Sequence, residues 1–139
     1  MRDLHNNILV SRALSPVNPG SGDTPLVSQI IDTKDYDSLE FLIATGSLSD
    51  ADATFTVLIE DGNVDTLTDN AAVADANLLG LETEASFAFG DDNEVRKIGY
   101  RGSKRYVRMT ITPANNTGDI FIAAVAIQGH SRGAPPVQP

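Results

Sequence analysis

The chain has no cysteine and no tryptophan, only two histidines, and aromatic residues make up just 6% of its 139 positions. Without cysteine there are no disulfides, no thiolate metal sites and no thiol nucleophile. A chain this long buries roughly two-thirds of its unfolded surface, so packing or association can stabilise it without covalent staples. No apolar run approaches the roughly 18 residues that a membrane helix needs, and the first seven residues, MRDLHNN, are mostly polar. Neither a secretory signal nor a transmembrane segment is expected, which makes cytoplasmic synthesis the expectation. Positive charge is scarce as well: 10 Lys and Arg stand against 19 Asp and Glu, for a net charge of −9. Between Lys34 and Arg96 there is no cation at all, while fifteen acidic residues fall in those sixty-one positions. Phosphate contacts dominate nucleic-acid affinity, so a field of this sign disfavours direct DNA or RNA binding.

What the chain does have is alternation. In ATFTVLIED, Ala53, Phe55, Val57 and Ile59 share one face of a strand, and Thr54, Thr56, Leu58 and Glu60 share the other. RYVRMTIT alternates in the same way, while GDIFIAAVAIQG is apolar on both faces and predicts a central strand buried between two layers. Residues 6–12, 25–33, 38–46, 84–90 and 94–100 supply further strand candidates, separated by clusters of Gly, Asp, Asn and Pro. EDGN (60–63), DDNE (91–94), YRGSKR (100–105) and PANNTGD (113–119) read as hairpin ends or direct strand connections. Residues 69–80, DNAAVADANLLG, fit either a helix ended by Gly80 or an extended loop. About eight strands without a helical crossover predict an all-β fold, an antiparallel two-sheet sandwich. A jelly-roll arrangement fits two four-stranded sheets, with an immunoglobulin-like sandwich as the alternative. The expected organisation is an N-terminal arm and Pro/Gly loop over 1–24 attached to the sandwich, a core over 25–129, and an extended tail over 130–139.

No catalytic constellation emerges. His5 and His130 lie near the chain ends, where a general base is hard to hold rigidly. There is no G-x-S-x-G elbow, and GYRGSK (99–104) lacks the spacing of a phosphate loop. Asp61, Asn63 and Asp65 alternate like calcium ligands, but Thr66 and Ala72 occupy the positions where a helix–loop–helix site needs Gly and Glu. Another surface calcium site stays open beside the simpler reading of a solvated acidic loop. Asn115-Asn116-Thr117 matches a glycosylation sequon and is read as a turn. The chain is expected not to be an enzyme and to need no cofactor.

Six of the ten cations crowd into thirteen residues: Arg96, Lys97, Arg101, Lys104, Arg105 and Arg108. Together with Tyr100 and Tyr106, they form a Tyr/Arg-rich stretch of the kind enriched at protein–protein contacts. These eight residues are the candidate interface. The competing reading is that the cations neutralise acidic strands beside them in the same subunit. Charge reversal at Arg96, Arg101, Arg105 and Arg108 is expected to break the contact and leave the fold intact.

The segments TKDYDSLEFLIATGSLSDADATFTVLIEDG, VADANLLG and VRKIGYRGSKRYVRMTITPANNTGD resemble a family of small proteins of tailed bacteriophages and prophages, encoded near the major capsid protein. The resemblance runs from about Pro25 to His130. It implies a structural virion protein, best fitted by a capsid decoration or cement protein on the outer surface of the head. The major capsid protein would be its partner, self-association would be expected with a homotrimer as one form, and no catalytic residue is carried over. A neck, tail or head-fibre base component is the alternative within the virion. A carbohydrate-binding host-attachment module is the alternative outside that class, weakened by the absence of Trp and the presence of only Tyr36, Tyr100 and Tyr106.

Overall fold

The computed structural model describes residues 3–17 and 21–133, and in them eleven strands form two antiparallel sheets. The chain enters through a short 3-10 turn, His5–Asn7, into β1 (Ile8–Val17). Then come β2 (Leu26–Val27), β3 (Ile31–Asp32), β4 (Tyr36–Leu48), β5 (Thr54–Gly62), β6 (Ala71–Ala72), β7 (Leu78–Leu79), a four-residue helix α1 (Glu82–Ala85), β8 (Phe87–Ala88), β9 (Val95–Tyr100), β10 (Tyr106–Ala114) and β11 (Ile120–Ser131). The first sheet runs β1-β11-β4-β9-β7; the second runs β2-β10-β5-β6, with β3 also on β10 and β8 also on β5.

Five of these strands are only two residues long and behave as broken pieces. β2 and β3 both pair with β10, and β6 and β8 both pair with β5. Merging the pieces, with β7 as an extension beside β9, gives eight positions in two four-stranded sheets. Their orders are first–eighth–third–sixth and second–seventh–fourth–fifth, the interleaving of a jelly roll. Almost every connection therefore changes sheet. YRGSKR, DDNE and PANNTGD, which resemble hairpin ends in sequence, instead carry the chain from one sheet to the other.

The inner faces make one core. Phe41, Ile43, Ile98, Ile122 and Ala126 of the first sheet meet Phe55, Val57, Ile59, Val107, Met109 and Ile111 of the second. Phe55 stacks on Phe87 with ring centroids 4.9 Å apart. Fully burying side chains of this size contributes roughly 1.5–3 kcal/mol each.

Residues 69–80, open in sequence between a helix and an extended loop, follow the extended course: β6, a 3-10 turn (Asp75–Asn77) and β7 occupy them, and Gly80 turns the chain with φ of 85°. Loose apolar spacing left that segment no continuous face to bury, so it hugs the sandwich edge in pieces. Residues 84–90 begin inside α1 rather than a strand. The strand candidate at 6–12 is realised as the longer edge strand β1 over residues 8–17, and His130 and Ser131, placed in the tail, complete β11. The rest of the tail, 134–139, lies outside the described residues.

Candidate interaction surfaces

β9, the following loop and β10 place the basic stretch, and strand alternation divides it. Arg96, on β9, donates from Nη1 to the carbonyls of Glu84 and Ser86, each at 3.1 Å. Its Nη2 pairs with Asp91 at 2.8 Å and Glu94 at 2.9 Å. Arg105 forks onto Asp32 through Nε (2.8 Å) and Nη2 (2.7 Å), and its guanidinium lies 5.0 Å from the Tyr106 ring centre. That bidentate pair holds the Asp32 carboxyl below the usual carboxylate range and raises Arg105. Arg108 pairs with Glu60 at 2.7 Å on the outer face of the second sheet, directly across the β10–β5 register. Internal neutralisation thus accounts for Arg96, Arg105 and Arg108. Reversing Arg96 or Arg108 would set acid against acid in half-buried pairs, so those two reversals are expected to cost stability as well as any contact.

Tyr100 is 5% exposed and offers no surface for contact. Its hydroxyl donates to Asp61 Oδ2 (2.8 Å) and accepts from the Lys104 backbone N–H (3.0 Å), fastening the loop after β9 to the end of β5. Burial, with Asp61 beside it, pushes the phenol upward. Lys97, Arg101 and Lys104 are exposed, and among the described residues none of them forms an ion pair within 4 Å. Arg101 and Lys104 line a cleft with Lys34 and Arg132, where Asp35 and Asp37 share the wall and Arg132 bonds Asp37. The stretch is therefore three braced arginines and three free cations.

The opposite end of the sandwich is acidic and self-braced. Asp50 accepts from Thr117 N and Oγ1, both at 2.6 Å; Asp23 accepts from Asn116 N at 2.9 Å; Asp92 accepts from Leu48 N at 2.9 Å. These carboxylates replace ladder partners where the chain leaves one sheet for the other. In the 63–70 loop Asp69 accepts from the N–H groups of Asn63 and Val64, which lowers its carboxyl range. Among the described residues no group of three or more acidic or histidine side chains converges to hold a metal ion. Exposed His130 meets Ser38 Oγ through Nδ1 at 2.9 Å, and no described carboxylate hydrogen-bonds the ring.

Sequence reasoning missed the largest feature. The outer face of the second sheet is polar, built from Thr54, Thr56, Glu60, Arg108 and Thr112. The outer face of the first sheet is mixed, with aliphatic and aromatic side chains set among Arg12, Glu40 and Lys97. One row across it reads Arg12, Val125, Leu42, Lys97, and the next reads Ile127, Glu40, Gly99. Ala123, Ala44 and Val95 make a third row, with Phe121 beyond them over Gly46. Val95 is 70% exposed and Phe121 50%. The two-faced apolar pattern of GDIFIAAVAIQG predicts a second covering layer; β11 is central in its sheet, but within the described chain only the inner face is covered.

No protein-family model matches the chain, and no curated protein matches its sequence. Solved structures do. The PBSX exported protein XepA aligns over 94% of this chain with a TM-score of 0.58 and 10% identity. The VP2 subviral particle of infectious bursal disease virus aligns over 92% with a TM-score of 0.52 and 13% identity. The chain spans 40% of the first and 33% of the second, so each likeness concerns a part of a longer protein. At such identities the likeness is one of fold.

Proposed function

We propose that this chain is a structural, non-enzymatic virion protein that decorates the outer surface of a phage head and bridges neighbouring units of the shell. The observation that carries the reading is the jelly-roll strand order. It aligns over almost the whole chain with part of the PBSX exported protein XepA and part of the VP2 that forms a subviral particle of infectious bursal disease virus. The sequence resemblance to a phage head-cluster family points the same way. The major capsid protein is the proposed partner, with Arg101 and Lys104 as cations left free to meet it. Each subunit contributes modest contacts, and repetition over a closed shell makes attachment persistent.

The test is a copy count. Intact particles purified on a density gradient are analysed by mass spectrometry, with this protein quantified against the major capsid protein. Hundreds of copies at a fixed ratio are expected for decoration. About a dozen would assign the chain to the neck, tail or a fibre base, and absence from particles would refute the structural reading.

A further inference from the structure

We infer that the outer face of the β1-β11-β4-β9 sheet is the surface on which a second copy of this chain stacks, face to face about a two-fold axis running across the strands. The inference goes beyond the virion reading and does not depend on it.

Its first support is area. Four strands at ~4.8 Å spacing are ~19 Å wide, and the eight steps from Phe121 to Gly129 at ~3.4 Å span ~27 Å. That planar footprint of ~500 Å² carries side chains, so its accessible surface approaches the ~800 Å² per partner of a stable interface. Large sheet faces with this many aliphatic and aromatic side chains are rare on free surfaces, and a sandwich buries such a face by setting a second sheet ~10 Å above it.

The second support is charge complementarity. The face carries Arg12, Glu40 and Lys97. Glu40 leans over Gly99: a Cβ added there would lie 2.6 Å from Glu40 Oε2. Burial raises the Glu40 carboxyl, and Lys97 offsets this only electrostatically, without an ion pair inside the chain. A two-fold axis between the Leu42 row and the Glu40 row changes that. Each strand then lies over its own copy with rows exchanged, so Leu42 and Val125 cover the partner's Glu40 and Ile127 positions. Lys97 comes over the partner's Gly99, beside the carboxylate that leans across it. An axis along the strands would instead set Arg12 against Lys97. The pairing rule thus selects one of the two in-plane axes.

Sedimentation equilibrium on the purified chain tests this, and the proposal is a pair in place of the homotrimer that the family resemblance offers as one form. The wild type is expected to be dimeric at tens of micromolar. Val125→Glu buries a charge twice per dimer and is expected to weaken association at least 100-fold with circular dichroism unchanged, while Thr56→Glu on the polar outer face of the other sheet leaves it intact. Lys97→Glu is expected to weaken the dimer at least tenfold, and adding Glu40→Lys to it restores affinity within a few-fold. This swap probes the interface even if Val125→Glu fails to fold. A monomeric or trimeric wild type, a dimer indifferent to these variants, or a swap that restores nothing overturns the proposal. Particle copy number has no bearing on the outcome, so the two readings fail separately.

Discussion

At the scale of single residues, carboxylates take the place of the ladder bonds that sheet-crossing connections give up. Asp50 is the clearest case. It accepts from the backbone and hydroxyl of Thr117 and from the backbone of Asp52, and these bonds hold its carboxyl below its ordinary value of 3.8. A group with a depressed folded-state pKa stabilises the fold above its unfolded value, and that contribution is lost as pH falls through the folded value. Asp50→Asn is therefore expected to lower the thermal midpoint at pH 7, and the gap to wild type should close as the pH falls below 3.8 and through the lowered folded-state value. Melting both proteins across that range checks it; a gap independent of pH would mean that shape, not charge, secures the turn. Local sequence does not reveal such braces. Asp50 and Thr117 are 67 positions apart, and only the crossing topology brings them together.

At the scale of elements, alternation was an accurate guide and turn chemistry was not. The phase of β5 and β10 is legible residue by residue: Phe55, Val57, Ile59, Val107, Met109 and Ile111 all point inward as their spacing predicts. What Gly, Asn and Asp clusters report is a change of chain direction, and a hairpin and a sheet crossing require the same backbone freedom. Asn93 and Asn115 both adopt left-handed φ, 58° and 56°, in crossing loops. The candidate interface was half legible for a similar reason. Clustering of cations is visible in sequence, and so are Asp91 and Glu94 just ahead of Arg96, whereas the carboxylates that engage Arg105 and Arg108 arrive from β3 and β5, far away in the chain. The division has a measurable consequence. Arg96→Ala releases two carbonyls and two carboxylates that tie β9 to its flanking segments, and should cost about 2 kcal/mol in urea unfolding. Lys97→Ala, one residue along and exposed, should stay within about 0.5 kcal/mol when compared at concentrations where both chains are monomeric. Equal losses at the two positions would show that the Arg96 network is not what secures that edge.

At the scale of the whole molecule, the first and last long strands are neighbours: Ile8 lies opposite Gly129 and Val10 opposite Ile127. The fold closes only when nearly the full chain is present, because β1 joins one edge of a sheet whose other members begin at Tyr36. Pairings of such sequence separation carry a high loop-closure cost and make folding slow relative to helical proteins of the same size. They also make the N-terminal segment structural, despite the polar composition with which it opens. Deleting residues 1–17 would leave β11 as an unpaired, strongly apolar edge and uncover the core beside Ala13, which is 2% exposed in the intact chain. Exposed long apolar edges pair with other chains, so the truncated protein is expected to lose cooperative unfolding and to aggregate at micromolar concentration. Light scattering and a urea titration of the truncated and full-length chains decide it. A truncated chain that stays soluble and unfolds at the full-length midpoint would show that the sandwich closes without β1, and that the pairing of the two chain ends contributes shape but little stability.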